Sequence, residues 1–309
     1  MENLLVNKVA AVKEVRQAAE YQKKKQACIL TGLAGSSKPV FFAAADKLLG
    51  GKGSMAFITA SREEIRTYRR ELNYLYPDLP MQELYPVSLP RVQADTQSLE
   101  LQAGRAAALR FLSGDERGIV FITAEALQQK QLRPSGMSGK ALQLAVGEEH
   151  EQRNIAAALL DLGYERTEQV DALGQFCLRG DILDVYPINS STAVRIEWFD
   201  NELDAMRSFD VDTQRSLQTL TSIKIAPLKV DESFSYDADI FEYCAADTMV
   251  VVDEPVHVFS MLEKLDKENK EHASELFGKQ ELIEQLAANG AVLVLSLIHI
   301  SEPTRQAEI

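Results

Sequence analysis

Short runs of purely apolar residues alternate with helical stretches in two separate parts of this 309-residue chain. The runs are ACILT from Ala27, MAFIT from Met55 and GIVFIT from Gly118, and the rhythm resumes at TMVVVDEP from Thr248 and AVLVL from Ala291. Strands that are apolar throughout and separated by helices are typical of a parallel sheet covered on both faces. The sequence therefore predicts an α/β domain whose first part is residues 1–140 and whose second part is residues 227–294.

Residues 141–226 follow a different pattern. A predicted helix near 150–162 is followed by short strands in GQFCLRGDILDVYP, AVRIEWF and ELDAMRSFD, which are joined by polar turns. Such a series is typical of antiparallel hairpins. We therefore predict an inserted α+β antiparallel domain that splits the parallel-sheet domain. At the amino terminus, the apolar spacing of residues 5–26 predicts one amphipathic helix.

Charge and cysteine content exclude several classes of protein. The chain has 33 Lys and Arg against 46 Asp and Glu, a net charge of −13, which argues against a broad cationic groove for nucleic acid. Its three cysteines, Cys28, Cys177 and Cys244, lack the spacing of a zinc site or a disulfide framework. This cysteine spacing also predicts no bound metal. Because no signal-peptide core or membrane-length apolar run is found, we expect a cytoplasmic protein without a membrane partner.

The carboxyl-terminal residues 295–309, LSLIHISEPTRQAEI, closely resemble the translation of a sequencing-library adapter. A buried strand at Ala291–Leu295 would also be left without cover if the domain stopped there. We therefore expect residues 295–309 to be an assembly artefact and the natural sequence to continue beyond residue 294.

The segment GLAGSSKP, from Gly32 through Gly35 and Lys38 to Pro39, follows a predicted strand and opens a helix. That is the context of a phosphate-binding P-loop. A working loop needs a glycine before its lysine and a hydroxyl after it, and here Ser37 and Pro39 occupy those positions. The loss of one charge-assisted hydrogen bond costs about 1.5 to 3 kcal/mol. We predict a degenerate loop that binds no nucleotide and serves as a strand-to-helix turn.

A second degenerate motif is predicted at Asp253 and Glu254, which end the apolar strand TMVVVD. P-loop ATPases place magnesium-organising carboxylates at such a strand end. Carboxylates also favour helix amino termini, so ordinary capping explains the pair equally well. The histidines show no ligand or triad spacing and no serine has a nucleophile context, so we predict no catalytic residue.

The predicted strand VRIEWF of the insert has different types of side chain on its two faces. Period-two alternation places Val194, Ile196 and Trp198 on one face, and it places Arg195 and Phe199 on the other, together with a glutamate. Residues 141–226 hold 7 basic and 15 acidic residues, a net charge of −8, so this segment would repel a phosphate backbone. Arginine beside an aromatic residue is typical of protein interfaces, although a solvated strand face remains equally compatible.

LGYER from Leu162, GQFCLRGDILDVYP from Gly174 and VRIEWFDNELDAMRSFD from Val194 together resemble the amino-terminal, UvrB-like region of the transcription-repair coupling factor (Mfd) family. The resemblance is strongest over 160–216 and weaker but collinear over 27–134 and 220–294. It implies an ATPase-like domain split around a UvrA-binding domain. By motif, it also implies UvrA contacts through Arg179 in LRGD and through Arg195 and Phe199 in VRIEWF.

UvrB itself is the nearest alternative, as a nucleotide-dependent ATPase that verifies DNA damage. UvrB has an intact GxTGSGKT loop and a tyrosine-rich hairpin, whereas residues 83–90 here read ELYPVSLP, which has one tyrosine and no room for that hairpin. The resemblance further implies that RNA polymerase and double-stranded DNA bind the full-length protein. It places ATP and Mg²⁺ in a carboxyl-terminal translocase motor that this chain lacks. We expect this fragment to be no enzyme, and packing on the motor as an autoinhibitor is a third possible role.

Overall fold

The computed structural model describes residues 4–33, 35–48, 54–75, 77, 79–89, 99–114, 118–134, 141–228 and 236–296. The chain forms two compact units. The parallel-sheet unit comprises residues 1–87, 108–130 and 239–309, and the insert unit comprises residues 88–107 and 131–238. Of the predicted artefact at residues 295–309, Leu295 and Ser296 are described, and residues 297–309 lie outside the described residues.

The secondary structure of the described residues is mixed. The helices are α1 (Leu4–Ala10), α2 (Lys13–Lys23), α3 (Ser37–Leu48), α4 (Arg62–Leu75), α5 (Leu99–Leu112), α6 (Ala124–Gln128), α7 (Gln152–Asp161), α8 (Pro255–Glu268) and α9 (Lys279–Ala288). The strands are β1 (Cys28–Thr31), β2 (Met55–Thr59), β3 (Met81–Leu84), β4 (Ile119–Thr123), β5 (Gln131–Leu132), β6 (Leu142–Ala145), β7 (Glu165–Arg166), β8 (Gln175–Arg179), β9 (Ile182–Val185), β10 (Ala193–Phe199), β11 (Glu202–Phe209), β12 (Ser216–Leu220), β13 (Ser222–Ile225), β14 (Tyr236–Ala238), β15 (Met249–Asp253) and β16 (Val292–Leu295).

The parallel-sheet unit is built on six strands in the order β1-β16-β15-β2-β4-β3, and all of their pairings are parallel. Every residue of β2, β4 and β15 is buried. Two apolar clusters lie on opposite faces of the sheet, one containing Val250 and Val252 and the other Met249 and Val251. The predicted parallel sheet with two covered faces is therefore confirmed.

Two local predictions for this unit were incomplete. The apolar run ACILT forms β1, but β1 is an edge strand, and Ile29 is 63% exposed. The helix predicted over residues 5–26 is divided into α1 and α2, because Val12 has the extended backbone conformation (φ −66°, ψ 136°). The break lets Val6 of α1 and Val15 of α2 join the same buried cluster.

The insert unit contains a second six-stranded sheet in the order β12-β11-β10-β9-β8-β7. Its pairings are antiparallel except for the short β7–β8 pair. One face carries the main core of this unit, in which Val194, Ile196 and Trp198 pack with Ile155 and Leu159 of α7. We call this the inner face. The predicted antiparallel, hairpin-built sheet is confirmed.

The opposite side of the sheet, which we call the outer face, carries Cys177, Asp184, Arg195 and Arg207 in register across β8, β9, β10 and β11. Part of it is covered by a small apolar cluster of Val170, Cys177, Ala193 and Phe209. In the part of the chain that the structure describes, no helix combines the length and apolar character needed to span a bilayer.

Candidate functional site

Lys38 lies at the beginning of α3, directly after the loop that contains Gly32 and Gly35. Both glycines have positive φ, 89° and 53°, as a sharp strand-to-helix turn requires. The lysine is only 4% exposed. Its Nζ lies 2.6 Å from Oδ1 of Asp253 and 2.6 Å from Oε1 of Glu254. The structure thus joins the two motifs that the sequence predicted separately.

Asp253 and Glu254 are held in place by contacts beyond the lysine. Tyr68 Oη in α4 donates to Oδ2 of Asp253 at 2.6 Å, and the backbone N–H of Ser296 donates to Oε1 of Glu254 at 2.9 Å. Glu254 has a left-handed backbone (φ 43°) and its N–H donates to the carbonyl of Val294. We call Lys38, Tyr68, Asp253 and Glu254 the lysine–carboxylate cluster.

Buried charge and hydrogen bonds shift the pKa values in the cluster. Burial lowers the pKa of an ammonium, but hydrogen bonds to Asp253 and Glu254 outweigh it, so the pKa of Lys38 is raised. Burial likewise opposes ionisation of Glu254, yet hydrogen bonds from Lys38 and Ser296 hold its pKa below the ordinary value. Burial, together with the charge of Asp253, raises the pKa of Tyr68, so the phenol stays protonated and donates.

The residues of the lysine–carboxylate cluster do not fit a magnesium nucleotide. The ammonium that would meet phosphate already bonds two carboxylates, and the cluster holds two negative charges against one positive charge. Pro39 has no N–H to donate, and the position after Lys38 offers no hydroxyl to a metal. Among the described residues, no group of three or more His, Cys, Asp or Glu is placed to hold a metal ion.

Arg195 lies in the middle of the outer face and is already engaged inside the insert unit. Its Nε and Nη2 each donate to the carboxylate of Asp184 at 2.7 Å, and Nη2 also reaches Oε1 of Gln214 at 3.2 Å. The guanidinium stacks 4.7 Å from the ring centroid of Phe209. Its side chain is 23% exposed. The hydrogen bond to Asp184 raises the pKa of Arg195. Burial lowers it by a smaller amount, so the pKa of Arg195 is raised overall.

Arg179 and Phe199 are both exposed on the insert unit. Arg179 ends β8 and donates from Nη2 to the backbone carbonyl of Glu168. Phe199 ends β10 with 73% of its surface exposed. The predicted alternation along β10 is confirmed, because Val194, Ile196 and Trp198 are buried whereas Arg195 and Phe199 are not.

Trp198 has a structural role. It is 5% exposed, and its Nε1 donates to the carbonyl of His150 at 2.9 Å. Tyr164 of the LGYER motif is similarly buried, and its hydroxyl donates to the carbonyl of Ala226 and accepts from the N–H of Ile188. These two aromatic residues support the sheet and offer nothing to a partner.

Sequence reasoning missed three residues near the candidate sites: Tyr68, Asp184 and Phe209. Asp184 could have been predicted from the sequence. LRGDILDV forms a hairpin with a two-residue turn, and its register pairs Asp184 with Arg195 of β10. Tyr68 and Phe209 are brought to the sites by tertiary packing and lie in no recognisable sequence motif.

The sequence of the insert unit matches a known domain family. Residues 142–230 match the family model of the UvrB interaction domain. The chain is 36% identical over 203 residues to a transcription-repair-coupling factor of Bacillus subtilis (strain 168), a match that covers 65% of this chain and 17% of the relative. It is 28% identical over 165 residues to the corresponding factor of Escherichia coli (strain K12), covering 53% and 14%.

A third relative, the transcription-repair-coupling factor of Staphylococcus haemolyticus (strain JCSC1435), is 32% identical over 202 residues, again covering 65% of this chain and 17% of the relative. The matches therefore span less than a fifth of the length of these relatives. The resemblance that the motifs predicted is confirmed: the chain is similar to the transcription-repair-coupling factors, and residues 142–230 match the UvrB interaction domain.

Proposed function

We propose that this chain is a recruiting module of a transcription-repair coupling factor, which binds UvrA through the outer face of its insert unit. The observation that carries the proposal is Phe199, a large aromatic side chain left 73% exposed within the stretch that matches the UvrB interaction domain. Exposed aromatic residues beside arginine are the composition of interface hot spots. In the complete protein, this module would bring the excision machinery to stalled RNA polymerase on double-stranded DNA.

The second part of the proposal is that the parallel-sheet unit is a degenerate P-loop ATPase fold without ATP turnover. Two features support it. The loop from Gly32 to Pro39 lacks the glycine and the hydroxyl of a working site, and the lysine–carboxylate cluster closes the position that a phosphate would need. We therefore infer that neither ATP nor Mg²⁺ is a cofactor of this chain, and that the energy-consuming step belongs to other parts of the full-length protein.

The test of recruitment is titration of the intact chain with purified UvrA. We expect Phe199→Ala to weaken binding by tenfold or more, because truncation of a hot-spot aromatic removes 1 to 2 kcal/mol or more. Leu160→Ala is a matched control: Leu160 is 50% exposed on α7, and α7 packs against the inner face. Equal affinity for the wild type and both variants would contradict the proposal.

The absence of nucleotide binding is tested separately with millimolar Mg-ATP. A ligand that binds only the folded state raises its stability, by about 2.7 kcal/mol at a hundred times the Kd. We expect no change in melting temperature. A clear upward shift would favour the alternative, a UvrB-like ATPase.

A further inference from the structure

Positive charge is concentrated at the start of this acidic chain. Residues 1–48, which include α1, α2 and α3, hold 8 basic and 4 acidic residues, a net charge of +4, whereas residues 49–309 hold 25 and 42, a net charge of −17. Such an asymmetry is typical of a chain with a local site for an anionic partner. Because the rest of the chain repels anions, such a partner would bind at the first 48 residues.

The cations of α2 lie on one side of the helix. The other side is buried in the parallel-sheet unit and carries Val15, Ala18, Ala19 and Gln22. The exposed side carries Lys13, Arg16, Glu20, Lys23 and the C-cap residue Lys24, at the three- and four-residue spacing of one helix face. We call these five residues the α2 basic face. From Lys13 to Lys24 it is about 16 Å long, at 1.5 Å per residue.

Most of the positive charge on the α2 basic face is not compensated. Lys23 pairs with Glu20 at 3.2 Å. Arg16 donates from Nε to a backbone carbonyl at 3.3 Å, which leaves its charge in place. Among the described residues, no carboxylate lies within ion-pair distance of Lys13, Arg16 or Lys24. These three cations are therefore available to a partner.

The composition of the α2 basic face favours one kind of anionic partner. Protein interfaces are depleted in lysine and enriched in aromatic residues, whereas two of the three available cations are lysines and the face has no aromatic residue. Single-stranded nucleic acid is held largely by stacking of its bases on aromatic side chains, which this face does not offer. A DNA duplex needs no such contact, because its backbone carries one negative charge per about 1.7 Å of helix axis.

We propose that the α2 basic face binds the phosphate backbone of double-stranded DNA, independently of base sequence, through Lys13, Arg16 and Lys24. Three cations on one helix are not the broad cationic groove that the net charge of the chain argues against. The site lies on the parallel-sheet unit, so it is separate from the UvrA contact proposed at Phe199 and requires neither nucleotide nor UvrA. With three phosphate contacts, log K should fall with log salt concentration with a slope of about −2.7.

The first test is titration of a fluorescently labelled random-sequence duplex with the intact chain at several salt concentrations. We expect binding at low salt with the slope given above. The triple variant Lys13→Gln/Arg16→Gln/Lys24→Gln should bind about tenfold more weakly or less and lose most of the salt dependence. If the wild type does not bind the duplex at low salt, the proposal is wrong.

The matched control is Lys264→Gln/Lys267→Gln/Lys270→Gln, which removes three exposed lysines from the same unit and changes the net charge equally. We expect the control to bind like the wild type. If it weakens binding as much as the α2 variant, the affinity follows net charge and the site is wrongly assigned. If melting shows that the α2 triple variant does not fold, Lys13→Gln/Lys24→Gln replaces it, with Lys264→Gln/Lys267→Gln as its control.

The second test identifies the class of partner by competition against the labelled duplex. We expect unlabelled duplex to compete better than the single strand of the same sequence, and better than poly-glutamate at the same concentration of charge. Equal competition by the single strand would overturn the assignment to a duplex, and equal competition by poly-glutamate would assign the face to an acidic protein instead. UvrA titration of the α2 variant should match the wild type, so the outcome for DNA is independent of the outcome for recruitment.

Discussion

Lys38 and Asp253, which are 215 residues apart in the chain, share a hydrogen bond of 2.6 Å inside the parallel-sheet unit. Glu254 accepts from the same ammonium at the same distance. The bonds tie the start of α3 to the end of β15, so this buried ion-pair cluster holds α3 against the parallel sheet.

Lys38→Met is expected to destabilise the chain strongly. Two adjacent buried carboxylates would lose their counter-ion, and removal of one member of a buried ion pair costs about 3 to 5 kcal/mol. Urea unfolding measures the loss. Lys24→Met is the control, because Lys24 is exposed and forms no ion pair among the described residues. A loss below 1 kcal/mol for Lys38→Met would show that the cluster contributes little.

The pH dependence of the same variant follows from the pKa shifts. The pKa of Glu254 is lowered, so its contribution to stability is complete above its ordinary pKa and is lost as the pH falls through the lowered value. The pKa of Lys38 is raised, so its contribution is complete below its ordinary pKa and is lost only at alkaline pH. The difference in melting temperature between wild type and Lys38→Met should therefore narrow as the pH falls from 7 to 4. A constant difference would contradict this.

Tyr68→Phe should lower the free energy of unfolding by about 1.5 to 3 kcal/mol, because it removes a hydrogen bond to the charged Asp253. Thermal or urea denaturation detects a change of this size. Tyr74→Phe on the same helix is the control, since Tyr74 is 88% exposed. Equal stability of the two variants would mean that the Tyr68 hydroxyl makes no net contribution.

Tyr164→Phe should cost about 1 to 3 kcal/mol, because the carbonyl of Ala226 and the N–H of Ile188 would both lose a buried partner. Denaturation measures this loss, and UvrA titration should show no further effect of the variant in conditions where it remains folded. A weakened affinity in the folded variant would give Tyr164 a role at the interface that its burial does not predict.

Gly180→Ala should destabilise the insert unit by about 1 to 2 kcal/mol, since φ at this position is 55° and a Cβ is unfavourable there. The space around Gly180 is open, so the cost is that of the backbone conformation alone. Gly278→Ala provides the comparison, because it also has open space but a φ of −70°. If both substitutions cost the same, the hairpin has relaxed to another turn.

The pattern of apolar residues was sufficient to predict the parallel sheet and the hairpin-built insert. A continuous apolar run such as MAFIT indicates a strand buried on both faces, and an alternating run such as AVRIEWF indicates a strand buried on one face. It could not show that β1 lies at an edge, since Ile29 is as apolar as a central residue and strand order depends on long-range pairing. The same limit applies to the sites. The alternation of side chains along β10 correctly predicted that Trp198 is buried and that Phe199 lies on the other face. The ion pair between Arg195 and Asp184 was found only from the cross-strand register.

Strand order has a consequence for how the chain is made. Among the described strands, β1 pairs only with β16, which is synthesised after the whole insert unit. The six-stranded sheet of the insert is formed by residues 165–220 and, in the part of the chain that the structure describes, includes no strand of the other unit. A nascent chain can therefore complete the insert sheet before β1 has its neighbour in the parallel sheet, so the insert unit can fold on the ribosome before the parallel-sheet unit does.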